Sequence, residues 1–148
     1  MDLYIFDFDD TLALTDSRVR VVRGGKDMFM SSRDFAHFQV RSTDTIDFSE
    51  FSKANGTLIK DTADKMLQMM KQGEDVYIVT ARAVAQPVED WLNGEIGQCP
   101  PVIATSGSEG KIPWLENQLT QQQYDKVVVY EDCSCLLYTS PSPRDYPG

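Results

Sequence analysis

Acidic side chains follow a short apolar run close to the N-terminus. The run Leu3–Phe6 is followed by Asp7, Asp9 and Asp10, and Thr11 completes an Asp-x-Asp-x-Thr pattern. A carboxylate can attack phosphorus as a nucleophile, and a second carboxylate nearby can transfer a proton. An acidic cluster after a strand is also typical of a solvated turn. The full pattern favours phosphoryl chemistry, with Asp7 as nucleophile and Asp9 as general acid and base.

A threonine, a lysine and an acidic pair lie at the ends of predicted strands or at the start of a predicted helix further along the chain. They are Thr80 after the apolar run 76–79, Lys111 before a helical pattern, and Glu131-Asp132 after the run 127–130. Ligands of open parallel sheets bind beyond the carboxyl ends of the strands, so these groups should meet Asp7 if the first strand is central. Thr80 and Lys111 would then hold phosphoryl oxygens, and Lys111 would offset transition-state charge.

Carboxylates that converge in one pocket repel one another and require a cation. Mg²⁺ fits such a pocket because it prefers oxygen ligands and bridges to phosphate. The predicted metal ligands are Asp7, Asp9 through its backbone carbonyl, and Asp132, with Glu131 as the alternative to Asp132 or its neighbour in the site.

Two further residues are candidate contacts for the phosphorylated substrate. Thr11 closes the first motif, and Arg82 follows Thr80 by two residues. The alternatives are a surface position for Arg82 and for Lys111, and a strand-end cap for Thr80.

Four apolar runs rich in strand formers alternate with helical patterns. The predicted strands are 3–6, 76–79, 102–104 and 127–130; apolar residues recur at helical spacing over 59–70, 84–92 and 112–119, and Gly73 and Gly94 are the expected ends of the first two helices. Such alternation indicates right-handed crossovers and a parallel sheet. The predicted fold class is therefore α/β with a Rossmann-like parallel sheet.

A small insert, about residues 13–58, interrupts the alternation after the first strand. The runs Val19–Val22 and Asp27–Met30 flank Gly24-Gly25, which predicts a hairpin. A short helix from Ser31 or Ser32 to Phe38 and a helical turn over 47–51 are expected to follow. Basic residues on the hairpin predict either a local positive patch or a solvated edge strand, and the edge strand is favoured; these residues are Arg18, Arg20, Arg23 and Lys26.

Composition limits the classes of partner. The chain has 148 residues, which suits one domain, and a net charge of −9, which argues against stable nucleic-acid binding. Three cysteines do not make a disulfide framework at this length. The sequence shows no signal peptide and no apolar run of membrane-spanning length, so we expect a cytoplasmic protein with no membrane partner. The oligomeric state stays open.

The motif set resembles the haloacid dehalogenase (HAD) superfamily. Residues 7–12 are similar to its motif I, while Thr80, Lys111 and Glu131-Asp132 match motifs II, III and IV in order and spacing. Over residues 1–133 the chain looks most similar to small HAD-like phosphatases encoded by phages, in its hairpin after motif I, its segment 47–51 and its strand ending at 79–82. The resemblance implies a magnesium-dependent phosphomonoesterase that forms an aspartyl phosphate on Asp7. The small insert favours an externally presented substrate, such as a nucleotide or a nucleic-acid end.

The C-terminal tail changes character abruptly. Pro141, Pro143 and Pro147 lie within seven residues, and residues 134–148 resemble a translated sequencing adapter. The sequence therefore predicts one HAD-like domain at 1–133, truncated at its C-terminus, and a non-native tail without an element of structure. An apolar cluster at 136–138 leaves an alternative, in which the tail covers a sheet edge.

Two other functions compete with the phosphatase. A receiver-type phospho-acceptor domain also uses acids, Thr and Lys with magnesium. Its acceptor Asp should end a strand in the middle of the chain, but the long middle strand of this sequence ends in Thr80. An inactive truncated fragment is the other alternative.

Overall fold

The computed structural model describes residues 1–31, 34–35, 37–54, 56–131 and 136–140. Over these ranges the fold is mixed α/β. The strands are β1 (Leu3–Phe6), β2 (Ala13–Leu14), β3 (Val19–Arg23), β4 (Lys26–Met30), β5 (Thr45–Asp47), β6 (Thr57–Leu58), β7 (Asp75–Thr80), β8 (Val102–Ala104), β9 (Val127–Glu131) and β10 (Leu136–Ser140). The α-helices of the described part are α1 (Lys60–Lys71), α2 (Gln86–Ile96) and α3 (Lys111–Gln121).

The main sheet has five strands in the order β10-β9-β1-β7-β8. Strand β1 pairs in parallel with β7 and β9, and β7 pairs in parallel with β8. The four predicted parallel strands are thus confirmed, and the first of them lies between two others. Their carboxyl ends share one edge of the sheet.

Helices cover both faces of this sheet, which explains why its strands are apolar on both sides. On one face Phe6 and Ile78 pack with Met66 of α1 and Leu92 of α2. On the other face a second cluster forms against α3, comprising Leu3, Ile5, Val79, Tyr124 and Val127 with the half-buried Trp114, Leu115 and Leu119. Alternate strand residues therefore serve alternate faces.

The predicted end of the first helix agrees with the structure, and the predicted end of the second does not. Helix α1 stops two residues before Gly73, whose φ is +80°. The prediction that α2 ends at Gly94 is wrong, because the helix continues to Ile96 and Gly97 adopts φ +74°. Gly97 supplies the left-handed backbone that ends a helix, whereas Gly94 is an interior residue.

The insert contains the predicted hairpin and three short strands that the sequence does not reveal, namely β5 and the antiparallel pair β2 and β6. Strands β3 and β4 flank Gly24-Gly25, both with positive φ, and β5 pairs with the other edge of β3. Residues 32, 33 and 36 of the predicted short helix lie outside the described residues. Ser31 accepts hydrogen bonds from Asp34 and Phe35, and a 3₁₀ turn spans Ser49–Ser52.

Two of the four basic residues of the hairpin are paired with acids. Arg20 contacts Asp27 at 3.0 Å and Asp47 at 3.8 Å, and Arg23 contacts Asp44 at 2.7 Å. These contacts pair the two arginines with acids, so they do not contribute to a positive patch. The edge-strand interpretation is also wrong for Arg20 and Arg23, because β3 lies between β4 and β5.

The tail departs from the sequence prediction at residues 136–140. These residues form β10, antiparallel to β9, with Leu136 opposite Glu131 and Ser140 opposite Val127. The sequence signals this strand only weakly, through the apolar cluster at 136–138, because pairing at a sheet edge depends on backbone hydrogen bonds rather than on apolar periodicity. The backbone pairing of β10 with β9 therefore agrees with the alternative in which the tail covers an edge of the sheet.

Deletion of residues 136–148 should lower the stability of the protein. Loss of β10 leaves one edge of β9 unpaired, and we expect a loss on the order of 1–3 kcal/mol, or a fall in Tm of several degrees. Thermal melts of chains 1–135, 1–140 and 1–148 test this, because the 1–140 chain keeps β10. Equal melting of all three would show that the edge strand contributes nothing.

None of the helices in the described ranges has the length and apolar character needed to span a bilayer.

Candidate active site

Four of the predicted site residues lie at the carboxyl edge of the main sheet. Asp7 follows β1, Thr80 ends β7, and Glu131 ends β9. The backbone N–H of Asp7 donates to the carbonyl of Tyr130 at 2.9 Å, which fixes the end of β1 beside the end of β9. Lys111 is the first residue of α3 and reaches the same edge.

Lys111 lies between two carboxylates. Its Nζ is 3.1 Å from Asp7 Oδ1 and 4.0 Å from Glu131 Oε1. The side chains of Asp7 and Lys111 are 20% and 18% exposed, so their pairing is only partly screened by solvent. This contact links the residue after β1 to the first residue of α3.

Burial raises the pKa of Asp7 to about 6, in spite of the opposing effects of the Lys111 ammonium and the Phe8 N–H. That N–H donates to Asp7 Oδ1 at 2.8 Å. Desolvation of the carboxylate therefore outweighs its favourable contacts, as is typical of a site in which a charged group is held partly out of water.

A tight turn over residues 8–13 follows Asp7 and contains Asp9. The carbonyl of Phe8 accepts hydrogen bonds from the N–H groups of Thr11, Leu12 and Ala13. Asp10 has φ +63°, a left-handed conformation that Asp tolerates better than most residues. The turn ends β1 and places two carboxylates in sequence at the edge of the sheet.

Asp9 is held by Arg82 and Thr15. Arg82 Nη2 and Nε donate to Oδ1 and Oδ2 at 2.7 and 2.9 Å, and Thr15 Oγ1 donates to Oδ1 at 2.7 Å. The sequence predicts a substrate contact for Arg82, but the structure gives this side chain an acidic partner. Thr15 was missed by the sequence analysis, and only its position six residues after Asp9 could have suggested it.

Thr80 and Thr11 are both buried. Thr80 is 0% exposed, and its Oγ1 accepts from the backbone N–H of Arg82 at 3.2 Å, as in a strand-end cap. Thr11 is 1% exposed, and its Oγ1 has no hydrogen-bond partner among the described residues. Thr80 thus lies at the predicted edge, and Thr11 is an unsatisfied hydroxyl in the motif turn.

The described part of the site offers carboxylate oxygens to a cation. Both hydrogen-bonding contacts of Asp7 within the described ranges use Oδ1, which leaves Oδ2 for a further ligand. The side chain of Glu131 is 50% exposed. Asp132 lies outside the described residues, and no group of three acidic, histidine or cysteine side chains forms within them. Asp7 and Glu131 have the oxygen chemistry that suits Mg²⁺.

A shallow cavity of about 310 Å³ opens in the insert, beside the segments that hold Asp9 and Arg82. It is lined by Asp16, Ser17, Ser49, Glu50, Ser52 and Lys53. Neither Asp7 nor Lys111 lines it, so it is not the place where these two groups meet. It adjoins Thr15 along the chain.

Replacement of Asp7 by Asn should stabilise the metal-free protein at neutral pH. The pKa of Asp7 in the folded protein, about 6, is above the ordinary value of an aspartate, about 3.9, so the folded state binds the proton more tightly. Stability should therefore fall as pH rises from about 4 to about 6. At pH 7.5 the Asn variant should be more stable by on the order of 1–2 kcal/mol, and the difference should vanish near pH 4. Chemical denaturation at both pH values measures it; a destabilised variant at pH 7.5 would contradict it.

Gly110 sets the position of Lys111. A Cβ at Gly110 would lie 2.8 Å from Thr105 Cβ and 2.9 Å from its carbonyl oxygen, so Gly110→Ala must shift the start of α3. Displacement of a catalytic group by about 1 Å can slow a reaction roughly 100-fold, and we expect at least a tenfold fall in kcat.

Gly94→Ala is the matched control for that change. A Cβ at Gly94 meets no atom within 4 Å, and the residue lies inside α2. This variant should gain roughly 0.5–1 kcal/mol and keep its kcat. Equal kcat values in the two alanine variants would refute the role of Gly110.

Comparison of the chain with protein-family models, with curated proteins and with solved structures found no match.

Proposed function

We propose that this chain is a magnesium-dependent phosphomonoesterase with the Rossmann-like core of the HAD superfamily. The observation that carries the proposal is the 3.1 Å contact between Asp7 and Lys111 at the carboxyl edge of a parallel sheet. A partly buried carboxylate beside a fixed ammonium provides both a nucleophile and a group that binds phosphoryl oxygens. The resemblance of the motifs agrees with this chemistry.

In the first step Asp7 attacks the phosphorus atom, and the bond between phosphorus and the leaving oxygen breaks. Asp9 donates a proton to that leaving oxygen, so an alcohol departs and an aspartyl phosphate remains on Asp7. Lys111 is close enough to Asp7 to stabilise the negative charge on the transferring group. Thr80 would hold another phosphoryl oxygen.

In the second step a water molecule attacks the aspartyl phosphate. Asp9 accepts a proton from the water, the bond between Asp7 and phosphorus breaks, and inorganic phosphate leaves. A carboxylate has about four acceptor positions, and three of those on Asp9 already receive hydrogen bonds. The remaining position is on Oδ2, which would serve the leaving oxygen and then the water.

Asp7 and Glu131 are the described residues that would hold Mg²⁺, together with Asp132 and the backbone carbonyl of Asp9. Bound Mg²⁺ neutralises phosphoryl oxygens and orients them for in-line displacement. Lys111 lies between the carboxylates of Asp7 and Glu131, so it limits their repulsion when no Mg²⁺ is bound.

A nucleotide or a nucleic-acid end is the proposed substrate class. The insert is small, which favours a substrate presented from outside. The net charge of −9 and the paired arginines of the hairpin disfavour extended contact with a polyanion.

A phosphatase screen with Mg²⁺ tests the proposal. Nucleoside monophosphates, sugar phosphates and oligonucleotides with terminal phosphates should be compared by release of inorganic phosphate. Turnover of at least one class by the wild-type protein, and its loss in Lys111→Ala, supports the proposal. Absence of release from every class would reject it.

A further inference from the structure

We propose that Arg82 is a positioning residue that fixes the Asp9 carboxylate and, with the same guanidinium, locks the insert segment 51–53 against the motif turn. The contacts of this one guanidinium then fix both the orientation of Asp9 and the position of segment 51–53. The proposal deepens the function above and depends on it for its kinetic consequence, but its structural consequence can be measured without turnover.

The first observation is that every nitrogen of the Arg82 guanidinium is already a donor. Nε and Nη2 bind Asp9, while Nη1 donates to the carbonyls of Phe51 at 3.1 Å and Lys53 at 3.2 Å. The Arg82 side chain is 2% exposed and that of Asp9 is 11% exposed. A guanidinium committed in this way is poorly placed to bind substrate directly, so its effect on the reaction passes through Asp9.

The second observation concerns the aromatic rings around the same group. The guanidinium carbon lies 4.9 Å from the centre of the Phe51 ring and 5.3 Å from that of Phe8. Phe8 stands between Asp7 and Asp9 in sequence, whereas Phe51 belongs to the 3₁₀ turn of the insert. The ring contacts therefore join the same two segments as the hydrogen bonds do.

Only arginine can make this set of contacts. A lysine has one nitrogen and cannot form the planar, two-point contact with a carboxylate while also reaching two carbonyls. Arg82→Lys keeps the charge but loses the geometry, which separates positioning from simple charge compensation.

The kinetic test is a double-mutant cycle on turnover of a phosphate monoester with Mg²⁺. Arg82→Lys should lower kcat at least about tenfold and change KM less than about threefold. In an Asp9→Asn background the same change should lower kcat less than about threefold, because the group that it positions is absent. Thr15→Val, which removes the hydrogen bond from the Thr15 hydroxyl to Asp9, should show the same non-additivity with a smaller effect. Arg20→Lys, a surface change in the hairpin, is the matched control.

The structural test is amide hydrogen exchange of the metal-free protein. Arg82→Lys should speed exchange in residues 49–54 and leave β7 protected, whereas Arg20→Lys should leave residues 49–54 unchanged. Unchanged exchange at 49–54 in Arg82→Lys would overturn the locking of the insert. If Arg82→Lys fails to fold, the smaller Thr15→Val change carries the kinetic test.

The outcomes separate the two proposals. If the wild type releases no phosphate, the function fails, while the exchange experiment still decides whether Arg82 locks the insert. If the wild type is active but the effects of Arg82→Lys and Asp9→Asn multiply, or if Arg82→Lys raises KM at constant kcat, Arg82 binds substrate and the positioning proposal is wrong.

Discussion

Asp7→Asn should reduce phosphate release by on the order of 10⁴-fold or more, since the amide cannot act as the nucleophile. The fold should persist, because Asn has nearly the same shape and Asp7 is destabilising at neutral pH through its raised pKa of about 6. Loss of activity with equal or higher stability is the expected combination. Steady-state kinetics and a thermal melt on the same preparation measure both.

Asp10→Asn is the matched control for that variant. It removes the same charge from the same turn, and Asn tolerates the left-handed backbone that Asp10 adopts at φ +63°. Its kcat should stay within about threefold of the wild type if Asp7 alone is the nucleophile. An equal loss in both variants would mean that the charge of the turn, rather than one carboxylate, supports activity.

Removal of divalent cations should abolish turnover, by at least about a hundredfold, and Mg²⁺ alone should restore it. The reason is the convergence of Asp7 and Glu131 on one edge, with Lys111 as the cation between them among the described residues. Ca²⁺ accepts more ligands and looser geometry, so it should bind without aligning the phosphoryl group.

The metal titration distinguishes this account from a site that needs only Lys111. Activity should follow Mg²⁺ concentration to saturation, and Ca²⁺ should compete with Mg²⁺ and lower the rate. Full activity in excess chelator would contradict the metal requirement. Glu131→Gln should weaken the apparent affinity for Mg²⁺ if Glu131 is a ligand and leave it unchanged if Asp132 serves alone.

The central fold was predictable because its signals are local. The strands 3–6 and 127–130 are apolar runs buried on both faces, and their pairing in parallel follows from the helices between them. Strand β5 was not predictable, since three residues in a polar stretch gain their structure only from pairing with β3. Ile112, expected on the buried stripe of α3, is 60% exposed, because α3 contacts the sheet through Trp114 and its neighbours instead.

The site was predictable in its positions and less so in its contacts. Strand ends and motif spacing correctly indicate that Asp7, Lys111 and Glu131 come together. The pairing of Asp9 with Arg82 spans residues far apart in the chain and depends on the path of the insert, which sequence periodicity does not record. Whether Asp132 joins the site lies outside the described residues.

The most direct test of the central claim is detection of a phosphoryl group on Asp7. The wild-type protein should be mixed with substrate and Mg²⁺, quenched in acid during turnover, and digested for mass spectrometry. The account predicts an acid-stable, base-labile phosphoryl group on the peptide that contains Asp7, which disappears as substrate is exhausted. With an aryl phosphate, whose leaving group needs no acid, the Asp9→Asn variant should accumulate more of it, because the second step still lacks its base. Turnover without any such adduct in either protein, or an adduct on another residue, would contradict the account, and an adduct that persists without phosphate release would indicate a phospho-acceptor domain instead.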